Sequence, residues 1–513
     1  MRSSVLRKTL STAANPPVQL TTLPNKIRVA TELTPGHFSS VGLYIDAGTR
    51  YENPRAAGVS HFLDRMAFKV PTPMLFLKST TSRTSEAMSN DIHSLGGQIS
   101  CASSRESMMY QSSHFHKATP LALSLMADTV INPVFSPEEI EVQRDAAAYE
   151  IREISAKPEM ILPEILHNVA YGLGGLGNPL LCPEERISQI DADALRASIK
   201  EWYRPERMVI AGAGMHHEQL VELADKYFSS LKPSTTSSQP STSRSNTIPS
   251  PHLLSPSSPS VTKSLTRAAS YLFPNNLSSH MPKNPSSTYT GGHRFIHDPE
   301  AEFDHLYIAF EGVGIHDDGI YALATIQMLL GGGGSFSAGG PGKGMYSRLY
   351  THILNQYPQI DHCASFHHIY TDSSLFGLFA SFVPAASGVS GGNTASQILP
   401  HLVHQLSLLL YSPIPQVELS RAKNQLKSSL MMALESRSIE VEDLGRQILV
   451  HNRKVPVTEM TDKIDQVTPE DIRRVAARVW GPESRNKATV VCMGHEDTGS
   501  WKEVFSKYGL SSV

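Results

Sequence analysis

At 513 residues the chain is too long for a single hydrophobic core, so two or more domains are expected. Its 45 basic and 48 acidic residues nearly cancel, which leaves the chain as a whole without an electrostatic reason to bind nucleic acid. Cys101, Cys182, Cys363 and Cys492 lack the spacing of a disulfide framework or a thiolate zinc site, and no apolar run approaches the roughly 20 residues that cross a bilayer.

In chain order, the N-terminal stretch "MRSSVLRKTLSTAANPP" carries Arg2, Arg7 and Lys8 among hydroxyl residues, and the first acid is Glu32. A basic, Ser-rich, acid-free start without a continuous apolar core fits a mitochondrial transit segment over residues 1–16 and not a secretory signal. A disordered tail is the plainer alternative. The alternating "SSVGLYIDAG" then reads as a strand.

The next segment, "GVSHFLDRMAFK" at 58–69, has the outline of the inverted zinc motif His-x-x-Glu-His with two changes. A helix puts residues i and i+4 on one face, so His61 and residue 65 would point together at a metal with residue 64 beside them. Residue 65 is Arg, whose guanidinium has no free lone pair and keeps its positive charge. Asp64 retains a carboxylate one methylene shorter than Glu, set back from any water it would activate. A later helical segment, "QRDAAAYEIREISAKPE" at 143–159, offers Glu150 and Glu153 as distal carboxylates. Without further support, the segment reads equally as a packed helix with a satisfied histidine.

The stretch 187–214 ("ISQIDADALRASIKEWYRPERMVIAGAG") is repeated in outline at 464–494: a polar helix start, an amphipathic helix with Trp202 or Trp480, a Pro turn and a β-rich run. Self-similarity on this scale indicates a duplicated domain of about two hundred residues. Between the copies, residues 233–292 are rich in Ser, Pro, Thr and Asn without one Asp or Glu, a composition that reads as a disordered linker. Strands such as "HLYIAFEGV" alternate with long helical patterns, which indicates mixed α/β layers.

Residues 331–344 hold eight glycines: Gly331, Gly332, Gly333, Gly334, Gly339, Gly340, Gly342 and Gly344. A phosphate loop would need Gly at 337 and Ser or Thr at 344, where the chain has Ser337 and Gly344. A plain linker would seldom carry Phe336 and Met345 or run straight into an amphipathic helix.

The segment "AGTRYENPRAAGVSHFLDRMAFK" resembles the zinc-helix region of the pitrilysin-like peptidases, in particular the mitochondrial processing peptidase family, and "SLGGQISCASSRESMMYQSSHF" resembles the strand that follows it there. The glycine run, "SRAKNQLKSSLMMALES" and "LGRQILVH" resemble the alpha subunits of that family. The resemblance implies an α/β (α+β) fold of two homologous domains, 17–232 and 293–513, each a mixed, mostly antiparallel sheet packed with helices. It matches His61 to the first zinc ligand, Asp64 to the catalytic Glu, Arg65 to the second ligand and Glu150 to the distal one, so no catalytic residue and no metal are expected here. Zinc would belong to a beta subunit that forms a heterodimer with this chain in the mitochondrial matrix and cleaves presequences. Gly331, Gly332, Gly333, Gly334, Ser335, Phe336, Gly339, Gly340, Gly342, Lys343 and Gly344 would bind the presequence. The alternative is a structural core subunit of the cytochrome bc1 complex. If Arg65 stands in for the metal, its guanidinium should lie within about 4 Å of Glu150, with Glu153 the next choice.

Overall fold

The computed structural model describes residues 17–68, 79–233, 287–334, 345–385 and 393–511. The expected transit segment, most of the Ser/Pro-rich insert and residues 335–344 of the glycine run lie outside these. The first half forms β1 (Gln19–Thr22), β2 (Arg28–Glu32), β3 (Phe38–Ile45), β4 (Gln98–Ser103), β5 (Met108–Phe115) and β6 (Met208–Ala213) in one sheet of order β1-β2-β6-β3-β5-β4. The second half forms β7 (Gly292–His297), β8 (Asp304–Val313), β9 (Gly332–Gly334), β10 (Ile360–Ile369), β11 (Ser373–Phe382) and β12 (Thr489–Gly494), of order β7-β12-β8-β11-β10-β9.

The two sheets share one plan. In each, the last strand inserts between two early strands: β6 lies between β2 (parallel) and β3 (antiparallel), and β12 lies between β7 (parallel) and β8 (antiparallel). The other pairings among the described strands are antiparallel, as expected of a mixed, mostly antiparallel sheet. The repeated sequence lands on α6 (Ala192–Trp202) with β6, and on the helix Pro469–Trp480 with β12. Trp202 and Trp480 are buried at equivalent places because each closes an amphipathic helix onto its own sheet.

Helices cover both sheets. In the first half, α1 (Val59–Phe68), α2 (Ser85–Ser94), α3 (Thr119–Ile131), α4 (Pro137–Ser155) and α5 (Pro158–Tyr171) precede α6, and α7 (His217–Phe228) follows β6. In the second, α8 (Ile320–Leu330), α9 (Ala395–Tyr411), α10 (Gln416–Leu434), α11 (Arg437–His451) and α12 (Val457–Gln466) precede α13 (Pro469–Trp480), and α14 (Trp501–Lys507) follows β12. Starts are set by local chemistry: Ser136 and Glu139 form a capping box on α4, and Thr468 and Asp471 form one on α13.

Two helices are exchanged between the halves. α5 lays Leu162, Leu166, Ala170 and Tyr171 on Tyr307, Ala309 and Val491 of the second sheet. α11 lays Val441, Leu444, Ile448 and Leu449 on Ala30, Tyr44, Val209 and Ala211 of the first. The halves are also joined where their hairpin tips meet. Arg50, with no exposed side-chain surface, pairs with Glu106 beside the β4–β5 turn and donates to Asp372 Oδ1 (2.9 Å) and Thr371 Oγ1 (3.1 Å) at the β10–β11 turn. Nearby, His167 Nδ1 donates to Pro163 O (2.6 Å), so the neutral ring accepts at Nε2 from Tyr370 O–H (2.6 Å). Burial, and then the charge of Arg105, hold the His167 pKa well below the ordinary value.

Gly445 shows how tight the α11 contact is. A Cβ there would lie 2.1 Å from Cδ2 of Tyr44, so the buried Tyr44 ring uses the space a side chain would take. Replacing a helix-interior glycine by alanine ordinarily gains about 1 kcal/mol. Here Gly445→Ala is expected to destabilise by about 1–3 kcal/mol through overpacking. Chemical denaturation of the single variants and of Gly445→Ala with Tyr44→Val checks this, since trimming Tyr44 should recover much of the loss.

Candidate functional site

α1 begins on a buried acid. Gly58 N–H and Ser60 N–H donate to the Glu52 carboxylate at 2.8 and 2.7 Å, which satisfies otherwise unpaired donors at the buried start of the helix and fixes its direction. Burial raises Glu52 from an ordinary 4.5 to about 7, with the two backbone donors opposing the shift. One turn in, Cys182 N–H donates to His61 Nδ1 at 3.2 Å. A backbone N–H can only donate, so the neutral imidazole carries its proton on Nε2.

That proton points at α4. His61 Nε2 lies 3.3 Å from Glu150 Oε2, and the Arg65 guanidinium pairs with the same oxygen. Arg65 is buried while Glu150 keeps 30% of its side chain exposed. Glu150, not Glu153, therefore faces His61; Glu153 lies half exposed, 3.7 Å from Lys157 on its own helix. Tetrahedral zinc with ligands at about 2.0–2.2 Å sets neighbouring donors roughly 3.4 Å apart, so His61 and Glu150 keep a separation that a shared metal would impose. The third position does not fit a metal, because Arg65 brings a positive charge and no lone pair. Asp64 is buried, within electrostatic reach of Tyr110 and Tyr203, whose hydroxyls meet at 2.7 Å. The Cys182 thiol is pushed up to about 12 by burial and then by Glu52, so it stays protonated beside His61. Among the described residues, no three His, Cys, Asp or Glu side chains converge as a metal group.

The other candidate lies in the second half, away from this cluster. α8 ends at Gly331, and Gly332–Gly334 form β9 against Ala364, Cys363 and His362 of β10. The run is not uniform. Gly331 and Gly332 have φ of +59° and +105°, and a Cβ on them would lie 2.4 Å from Ser347 Cβ and 2.1 Å from Cys363 O. Among the described residues, a Cβ on Gly333 would meet nothing within 4 Å, and one on Gly334 would come no closer than 3.6 Å to His362 Cδ2. The first two glycines are thus required by the backbone, and the next two are not. Ser335, Phe336, Gly339, Gly340, Gly342, Lys343 and Gly344 lie outside the described residues.

With this geometry in place, likeness to known proteins becomes informative. Residues 28–184 match the family described as Insulinase (Peptidase family M16), and residues 189–426 match the Peptidase M16 inactive domain. Mitochondrial-processing peptidase subunit alpha of Neurospora crassa is 46% identical over 502 residues, covering 91% of this chain and 84% of its own. The chain belongs to peptidase family M16, among the alpha subunits of the mitochondrial processing peptidase. The corresponding subunits of Solanum tuberosum and Homo sapiens are 33% and 32% identical, over 90% and 93% of this M16 chain and 79% and 82% of theirs. Two solved structures share the fold alone. A chain of complex III2 from Candida albicans superposes with a TM-score of 0.72 at 17% identity, covering 96% of this chain and 99% of its own. A protease from Helicobacter pylori gives 0.72 at 19%, covering 93% and 99%.

Glu52, Cys182 and the serines behind the glycine run carry no periodic signal, so the sequence did not mark them. Two outcomes follow from the site. Arg65→Ala should cost about 2–3 kcal/mol, below the roughly 3–5 of a fully buried pair because Glu150 is partly in water, and a thermal or denaturant melt reads it. Folded Glu52 keeps its proton up to about pH 7 while the unfolded chain releases it near 4.5, so its contribution to stability is full below 4.5 and is lost as pH rises through 7. The stability difference between wild type and Glu52→Gln should therefore change with pH across that window and stay flat above it.

Proposed function

We propose that this chain is the non-catalytic, substrate-recognition subunit of a heterodimeric processing peptidase of the mitochondrial matrix, paired with a beta subunit that carries the zinc. The observation that carries the reading is the Arg65 guanidinium on Glu150: the α1–α4 crossing keeps its donor spacing and puts a fixed cation where a ligand should be. A chain built this way holds peptide for another active site. The glycine run suits that task, since backbone without side chains can approach peptides of many sequences. Such contacts would be those of backbone recognition, which tolerates variable presequences. Ser335, Phe336 and Lys343 would add the few side chains of the loop, and the cut itself would fall to the zinc of the partner.

The bc1 core reading has no observation of its own, since the complex III2 chain at 17% identity supports the shared fold only. The test is cleavage of a fluorogenic presequence peptide by this chain alone, by the beta subunit alone and by the mixture. Only the mixture should process it efficiently. Cleavage by this chain alone, or no gain on mixing, overturns the proposal.

A further inference from the structure

Where α11 of the second half lies on the first sheet, the seam is not only apolar. β2 ends in Glu32, which is 6% exposed, and its Oε2 is buried with no hydrogen-bond partner among the described residues. Glu440 and Asp443 of α11, 7% and 1% exposed, lie within electrostatic reach of it, as do Lys454 and Arg437. Both cations are already engaged. Lys454 pairs with Asp443, which also accepts from Gln447 Nε2 at 2.9 Å. Arg437 donates to Glu440 Oε2 at 3.0 Å and to Pro35 O at 2.7 Å, and the other Glu440 oxygen is buried near the Thr34 hydroxyl. The remaining charges of the seam are matched locally: Glu442 pairs with Arg446 at 2.9 Å near Tyr44, and Arg28, at the far end of β2, donates to Ile448 O at 2.8 Å. Three carboxyl groups from two halves therefore face two cations.

We propose that this seam is a proton-binding latch between the two halves: one carboxyl of the Glu32 and Glu440 pair holds a proton while α11 is seated on the first sheet, and losing that proton loosens the helix. A buried negative charge without a matching cation is strongly disfavoured, and a proton is the ligand small enough to cancel it between two packed elements. Burial raises Glu32 and Glu440 above the ordinary 4.5, opposed by Lys454 at Glu32 and by Thr34 at Glu440. Two acids in reach of each other titrate as a pair, so the proton belongs to the seam and not to one residue. The direction follows from linkage. The seated helix binds a proton that the released one gives up near 4.5, so the hold of α11 is full below 4.5 and weakens as pH rises toward the raised value, after which it is level. The alignment of the halves thereby becomes sensitive to pH at a place remote from His61 and from the glycine run.

The experiment is hydrogen exchange of the full chain, read on α11 peptides by mass spectrometry across a pH series from about 4.5 upward and corrected for intrinsic exchange. In the wild type, α11 protection should fall by up to about tenfold per pH unit and then level, the slope of one linked proton. Glu32→Gln and Glu440→Gln each keep the shape of a neutral carboxyl and remove its titration. In each, α11 protection should stay flat with pH and exceed that of the wild type at the alkaline end. Reading α11 alone separates this seam from Glu52, whose titration acts on α1. A wild-type profile without slope overturns the proposal, and so does a slope that persists in both variants. Loss of folding in Glu32→Gln would show that the ionised form is the one required, and overturns it as well.

Discussion

A guanidinium with no exposed surface lies between Glu106 of the first half and Asp372 of the second, and such a charge is tolerated only where both acids stay in place. Arg50 therefore admits one relative arrangement of the two hairpin tips. It is also two residues from Glu52, which receives the first N–H groups of α1, so the contact that aligns the halves is continuous with the one that aims the His61 helix. From the other direction, α5 is held on the second sheet and follows α4 closely, and α4 delivers Glu150 to His61 and Arg65. The His61, Arg65 and Glu150 cluster is thus positioned by an agreement between both halves, although all its members come from one.

Duplication gives the two halves equivalent helices with different fates. α1 follows β3 and α8 follows β8, in sheets that share an order of five equivalent strands, β2-β6-β3-β5-β4 and β7-β12-β8-β11-β10. In the first half that helix holds the His61, Asp64 and Arg65 face, now closed by an internal ion pair. In the second it ends at Gly331 and passes into β9, which covers the side of β10 that the corresponding strand β4 leaves at the sheet edge. The Arg65–Glu150 pair in one half and the Gly331 start of β9 in the other thus arise from equivalent helices.

Much of this was legible from residues alone where spacing carries the information. The i, i+4 relation of His61 and Arg65 and the repeat around Trp202 and Trp480 follow from periodicity, whereas the choice of Glu150 over Glu153 came from the family resemblance; all three agree with the geometry. The exchange of α5 and α11 was not legible, because an amphipathic face says that a helix is buried and not which sheet buries it. Glu52 and Cys182 act through backbone groups brought together by the fold, which no side-chain pattern records. The glycines read as one uniform run, yet Gly331 and Gly332 are fixed by positive φ and close approach while Gly333 and Gly334 are not. Composition cannot make that distinction, since it depends on what lies within 4 Å of each position.

We infer that Arg65 stands where a metal ion would bridge His61 and Glu150, with the surrounding frame kept. Metal analysis of the separated subunits and of the assembled heterodimer, each dialysed against trace zinc, addresses it directly. The account predicts no zinc above background on this chain and a single zinc per heterodimer, carried by the partner. Stoichiometric zinc on the isolated chain, released by chelator and absent from a His61→Ala variant, would contradict it.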